Sequence, residues 1–358
     1  MTADPTMVRE TARVWSLHLL CFVLPVTSLV FLATAPHPWY LALPWLLVVV
    51  GSIWADMQSP REHRQPAATM PGWPFDWVLY ALVLLQVVNV ALAVGMVAVH
   101  GFWRADTLVA VLLVGINSGY SGLVVAHELI HRPQRHMQQL GRLLLCTVLY
   151  EHFYTEHVRG HHARVATADD PATARFGEHA LGFFLRTVPA QFRSAWRIEA
   201  KRLGDERMRW HDPRLLGSRV VHGLVVEGAV ALAILAALGP GALAIFLLQA
   251  LLAVRLLEAV NYFEHWGLAR TGRRVRTVDS WDTDSWFTLY TLVGLSRHAD
   301  HHAIASRPYQ ELRWVEESPK LPYGYFATVV LVLFRNGVLR RRLAAELERR
   351  HLGPFAPV

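Results

Sequence analysis

The chain has 358 residues, of which 53% are hydrophobic and 18% charged, with a formal net charge of +7 and a mean hydropathy of +0.26. A soluble domain carries about 25% charged residues. Here the apolar residues also run in long stretches, so the composition points to a membrane protein. The basic residues are scattered between those stretches rather than gathered on a polar module, which excludes nucleic-acid binding. The two cysteines, Cys21 and Cys146, sit in apolar stretches, which excludes thiolate metal sites and a disulfide framework.

In chain order, six spans are predicted at about 14–35, 37–55, 76–98, 105–126, 218–238 and 241–260. Each is close to the roughly 20 residues needed to cross hydrocarbon. The first follows MTADPTMVRETARVW without a cleavage signal and reads as a retained helix. Tight turns at APHP (35–38), HGFWR (100–104) and GPG (239–241) pair the spans into three hairpins. The other connections are polar: 56–75, 127–217 and 261–358. Arg9 and Arg13 precede the first span, and among the tight turns only Arg104 is basic. The bias of lysine and arginine therefore predicts cytoplasmic termini and cytoplasmic polar regions. The apolar run LLLCTVLY (143–150) is too short to cross and reads as a buried or re-entrant element. The segment 326–339 reads as interfacial. The fold expected is an all-α integral membrane protein, one domain over 1–358, with six transmembrane helices and a histidine-rich cytoplasmic cap.

Nineteen histidines are present. Ten have no special setting: His18, His37, His63, His100, His136, His152, His179, His211, His222 and His351. The other nine form clusters. HELIH supplies His127 and His131. EHVRGHH supplies His157, His161 and His162. NYFEHWG supplies His265, and RHADHH supplies His298, His301 and His302. On a helix, His127 and His131 share a face, as do His157 and His161, while His162 points to an adjacent face. All nine fall at the cytoplasmic ends of the predicted spans or just beyond.

Structural zinc takes four ligands and catalytic zinc usually three, so nine imidazoles suggest two metals with four or five nitrogens each. The residue types alone do not identify the metal. HELIH alone also matches a zinc-protease pattern with Glu128 as base, but that reading leaves the other clusters unexplained. Four acids adjoin ligands in sequence: Glu128, Glu156, Glu264 and Asp300. At least two of them are expected to accept the outer N–H of a ligand ring. Arg159, Arg164 and Arg297 are available to pair with these acids. Glu258 and Arg255, three apart in the sixth span, are expected to pair with each other or to line the approach to the metals.

The motifs together resemble those of the alkane 1-monooxygenase family of integral-membrane di-iron hydroxylases, related more distantly to membrane fatty-acid desaturases. HELIHR at 127–132 fits the family's HExxH box. EHVRGHHARVATADDPA at 156–172 matches the second box throughout. NYFEHWGL at 261–268 and RHADHH at 297–302 fit the third and fourth, and SRPYQELR (306–313) and LPYGY (321–325) look like the C-terminal segment.

The resemblance implies six membrane helices and two iron ions held by the nine histidines. It also implies dioxygen as co-substrate and hydroxylation of a terminal C–H of a hydrocarbon, a medium-chain n-alkane before an alkyl-aromatic methyl. Electrons would come from rubredoxin and its reductase, or from an iron–sulfur flavoprotein reductase, with the enzyme in the inner membrane. A basic rim of Arg202, Arg207, Arg209, Arg270, Arg273, Arg274 and Arg276 is available to an acidic donor. Ser296, Asp282 and Asp284 depart from the alkane pattern and leave the xylene monooxygenase branch open. An acyl-lipid desaturase and a metal permease are the remaining alternatives. Trp54 is expected to help set the width of the substrate channel.

Overall fold

The computed structural model describes residues 5–67, 70–270 and 272–356. These are helical; extended pairing is limited to single bridges joining Arg61 to Ser285 and Asp282 to Lys320. Among the described residues, five helices are long and apolar enough to cross a membrane. The first four are α1 (Thr6–Ala33), α2 (Trp39–Met57), α3 (Trp73–His100) and α4 (Ala105–His131). Then come α5 (Arg135–Cys146) and α6 (Ala180–Arg202). The fifth long helix is α7 (Arg219–His265), followed by α8 (Tyr325–Phe334) and α9 (Asn336–Arg350).

α7 is continuous except at Gly239, with φ 85° and ψ 176°, just before Pro240. Only glycine takes that conformation without strain, and proline offers no N–H to continue the ladder. The contacts show that the chain turns back here. Glu227 accepts the backbone N–H of Glu151 at 2.7 Å, while Glu258 accepts the hydroxyl of the preceding residue, Tyr150, at 2.9 Å. In one straight helix, residues 227 and 258 would lie about 46 Å apart. α7 is therefore two antiparallel arms, hinged at the predicted GPG turn.

The three tight turns share one end of the molecule. Asp106 accepts the backbone N–H of His37 at 2.8 Å and Nε of Arg104 at 2.9 Å, tying the first turn to the second. Gly241, in the third, is packed so closely that a Cβ there would lie 3.2 Å from Phe102.

Midway along α4, residues Ser118–Leu123 form a π-helical turn. Such a bulge loosens the backbone ladder, and polar side chains surround it. Gln86 donates to Ser118 at 2.7 Å and accepts from Asn117 at 2.9 Å. Ser118 in turn donates to Gln249 at 2.7 Å. This network links α3, α4 and the second arm of α7, and its donors find protein acceptors, as an apolar surrounding requires.

Most of the run 143–150 is buried: Leu144, Leu145, Val148 and Tyr150 are inside, while Leu143 at its start is exposed. α5 lies close against α4 because Gly141 carries no side chain: a Cβ would sit 2.7 Å from Ile130. The segment 326–339 corrects expectation. Its first part, α8, packs inside rather than along an interface: Tyr325, Phe326, Val329 and Val332 are buried, and Phe326 stacks on Tyr120 at 4.4 Å. Asp56 at the end of α2 anchors this region by accepting Ser285 Oγ and Thr288 Oγ1, both at 2.7 Å, and the backbone N–H of Ala327 at 3.0 Å.

Candidate metal centre

α4 stops directly after its second histidine. Arg132 is extended, with ψ 144°, because the next residue is Pro133, which disfavours the helical region before it. His127 and His131 are thus the last two inward positions of the helix, with ring centroids 5.1 Å apart.

The second cluster departs from the expected geometry. Residues His157–His161 form a π-helical turn rather than an α-helical one. One extra residue per turn brings position i+5, not i+4, back over position i. His157 therefore meets His162, with Nε2 atoms 3.1 Å apart, while His161, its ring stacked on that of His157 at 5.1 Å, offers its ligand atom to His265 and His302.

Three groups of ligand atoms result, the atoms in each within 4.8 Å of one another. His127, His131, His157, His162 and His301 form one. His161, His265 and His302 form a second, and Glu264, His265 and His298 a third that shares His265 with it. His302 and His298 are also in contact, their Nε2 atoms 3.0 Å apart. The nine rings accordingly divide into five and four. Close Nε2 pairs fall within these sets: 157–162, 162–301, 265–298 and 298–302, at 3.0–3.3 Å. Two imidazoles bound at right angles to one metal at about 2.1 Å would have nitrogens about 3.0 Å apart. His162 and His302 stack at 4.4 Å where the two sets meet.

Seven of the nine rings are buried, and His131 and His162 are half-buried. Nε2 of His127, His131 and His161 is buried with no hydrogen-bond partner. A buried polar atom without a partner is costly unless something occupies its lone pair. The donor set thus fits metal ions that accept imidazole, iron among them.

Burial, reinforced by neighbouring rings, lowers His157, His162, His298, His301 and His302 well below the usual histidine range. They are neutral, the form that binds metal. For His161 burial acts in the same direction, but the charge and hydrogen bond of Asp170 outweigh it and raise the ring. Below pH about 6.5 the unfolded chain takes up protons that the five lowered rings refuse, so their contribution to stability falls as the pH drops. His161 opposes this, as do the carboxyls of Glu151 and Glu156, raised by burial to about 7, and of Asp282, raised to about 6.

The four sequence-adjacent acids are placed as follows. Glu264 lies 3.3 Å from Nε2 of His298 and accepts the hydroxyl of Tyr325 at 2.6 Å. Glu128 instead accepts Nε of Arg132 at 2.7 Å and the backbone N–H of Tyr309. Glu156 accepts from Arg164 and Ser194. Asp300 is held by Arg307 and by the backbone N–H of Arg313 at 2.9 Å. Of the three arginines, Arg164 takes its expected place; Arg297 donates to the carbonyls of Leu312 and Arg64.

A carboxylate outside those four, Asp170, meets the Nδ1 of one of the nine rings. Its Oδ2 lies 2.9 Å from Nδ1 of His161 and also accepts Thr173 Oγ1 at 2.6 Å. The proton is thereby held on Nδ1, leaving Nε2 free for a metal. Asp170 stands inside the second box, in TADDPA, and that position was the available signal.

Beneath the cage lies a narrow, mainly apolar cavity. His127, His157 and His298 form its roof, and Leu123, Leu256 and Val260 are among its walls. Trp54 does not line it; that side chain is 66% exposed on the outer face of α2, which corrects its expected role in channel width. Glu258 does not pair with Arg255. It accepts from Tyr150, Gln191 and Asn261, while Arg255 lies over the ring of Phe184.

Asp282 and Asp284 stay away from the cavity. Asp282 accepts the backbone N–H of Ala299 at 2.7 Å, capping the short helix His298–Ala303, and Asp284 accepts Nε1 of Trp314 at 2.8 Å. Asp282 thereby helps to hold the fourth cluster in place, while Asp284 also pairs with His63.

Residues 105–330 match the family model described as Fatty acid desaturase. Apolar helices that end in a histidine cage define the class: a helical membrane protein of the desaturase type. Among its relatives, alkane 1-monooxygenase 1 of Pseudomonas aeruginosa is 38% identical over 314 residues, covering 83% of this chain and 81% of its own. Alkane 1-monooxygenase 2 of the same organism is 37% identical over 327 residues, covering 84% and 82%. The xylene/toluene monooxygenase hydroxylase component of Pseudomonas putida is 24% identical over 206 residues, covering 57% and 55%. The chain belongs to the alkane 1-monooxygenase family of oxidoreductases.

Proposed function

We propose that this enzyme hydroxylates the terminal methyl of a medium-chain n-alkane to the primary alcohol, using dioxygen and two iron ions. The observation that carries the reading is the five-and-four division of nine histidines over an apolar cavity. His127, His131, His157, His162 and His301 would hold one iron, and His161, His265, His298 and His302 the other, with Glu264 beside the second. When bound, the metals supply the redox chemistry needed to activate dioxygen and break a strong C–H bond, which no side chain acting as acid or base can do. One oxygen atom enters the alcohol and the other leaves as water, with two electrons and two protons consumed.

The protein's own contribution is placement. Asp170 fixes the orientation and tautomer of His161. Leu123, Leu256 and Val260 keep water from the cavity and hold the methyl under His127, His157 and His298. A hydrocarbon dissolved in the bilayer can reach this cavity without returning to water.

Counting each arm of α7 as a crossing gives six spans. The charge bias then puts the histidine end, both termini and the electron donor on the cytoplasmic side of the inner membrane. Rubredoxin with its reductase is the donor we favour. Arg207, Arg209, Arg273 and Arg274 are exposed on that side and suit an acidic partner.

Asp282, Asp284 and Ser296, the positions that favoured an alkyl-aromatic substrate, do not face the cavity. This removes their support for that branch. Whole cells carrying the enzyme with both donor types, and offered octane, hexadecane and p-xylene together, are expected to form 1-octanol. A benzyl-type alcohol alone would move the enzyme to the alkyl-aromatic branch, and alkene without alcohol would remove hydroxylation.

A further inference from the structure

Two recesses outside the cavity meet at one side chain. The first is an open apolar groove between α6 and the second arm of α7, walled by Phe184, Val188, Phe192, Leu247, Leu251 and Val254. The second is a wide polar cleft containing Arg175, Arg197 and Lys201. Arg193 lines both.

The exposed row of α6 changes character along the helix: Leu181 and Leu185 stand near its start, and Arg193, Arg197 and Lys201 continue the same i,i+4 row toward its end. The ion pairs of α6 are Arg186 with Glu178 and Arg202 with Glu199. Among the described residues no carboxylate pairs with Arg193, Arg197 or Lys201. The cleft does contain Asp169, Asp170 and Glu206 beside six cations; of these, Arg164 and Arg186 are paired with Glu156 and Glu178, which leaves Arg175, Arg193, Arg197 and Lys201. At the groove's other wall Arg255 rests 5.0 Å over Phe184, also without a paired carboxylate among the described residues. An unpaired guanidinium next to hydrocarbon is costly unless its charge finds a partner at the interface.

We propose that groove and cleft together bind an anionic phospholipid. One acyl chain lies along Val188, Leu247 and Leu251, and the phosphodiester sits on Arg193 with Arg197 beside it. A hydrocarbon would leave the guanidiniums bare, and free phosphate would leave the groove empty; only a molecule with both parts answers both recesses. Basic recesses beside membrane helices commonly take such headgroups.

The test uses full-length, detergent-purified protein stripped of lipid, with retained lipid counted by native mass spectrometry. Dioleoylphosphatidylglycerol is expected to bind at about tenfold lower concentration than dioleoylphosphatidylcholine. Arg193→Gln should erase that preference, Arg193→Lys should keep part of it, and Arg341→Gln, on α9, should leave it intact. Leu251→Trp, which fills the groove, should weaken both lipids. Equal binding of the two lipids by the unaltered protein, or a preference that survives Arg193→Gln, would overturn the proposal. So would displacement of phosphatidylglycerol by inorganic phosphate alone, or by octane. Lipid retention is read without turnover, so a negative result leaves the hydroxylase reading standing.

Discussion

His301→Ala and His161→Ala are each expected to abolish alcohol formation and to lower bound iron to about one per chain, because they belong to different sets of the divided cage. His301 lies with His127, His131, His157 and His162, and its ring centroid is 4.5 Å from that of His127. His161 lies with His265 and His302, with centroids 4.7 and 4.9 Å away. Removing either ring takes one nitrogen from one set and leaves the other untouched. The result to look for is therefore the same loss of activity with selective, not total, loss of metal. His351→Ala, at the exposed C-terminal end of α9, should retain both iron and activity. His18 is a poor control, since it is buried between Tyr290 and Tyr309 with ring centroids 5.0 and 4.8 Å away, and its loss opens a cavity. Full activity in either ligand variant, at equal expression, would refute the assignment.

Asp170→Asn is expected to cost roughly 10–100-fold in iron affinity or activity, the usual effect of removing the carboxylate behind a metal-bound histidine. The substitution keeps size and a hydrogen-bonding group. What it changes is charge: the amide oxygen is a weaker acceptor for Nδ1–H of His161, and the amide nitrogen is a donor. The ring is then free to adopt the other tautomer, with Nε2 protonated and unable to bind metal. Asp169→Asn, next door, serves as the comparison, since Asp169 makes no contact with a histidine ring. Iron affinity measured by chelator competition separates this positioning role from a merely structural one. Equal affinity in Asp170→Asn and unaltered protein would sink the account of His161.

The nine histidines could be gathered from the sequence because clusters at the ends of long apolar runs must lie at one depth. Their division could not. Reading His157 and His161 as one face assumes α-helical spacing, and the chain instead uses a π-turn that pairs His157 with His162. Nothing in EHVRGHH announces that extra residue per turn. The acids failed for a related reason. Neighbours along a helix point about 100° apart, so Glu128 and Asp300 face arginines rather than the rings beside them. Asp170 reaches His161 only because the loop after the second cluster folds back, with Ala166 at φ 59° and Thr173 bonded to both Asp170 and the backbone of Ala166.

The turns were legible because GPG, APHP and HGFWR carry the residues that end helices. The inward packing of α8 was not, since a ten-residue, mostly apolar helix fits an interface as well as a core. Trp54 shows the same limit: a strongly apolar helix offers no polar face to say which side chains look outward.

The divided cage is expected to hold two irons. Protein produced in iron-sufficient medium and purified without chelators should carry about two iron ions per chain by elemental analysis, with zinc well below one. One zinc and no iron would contradict it.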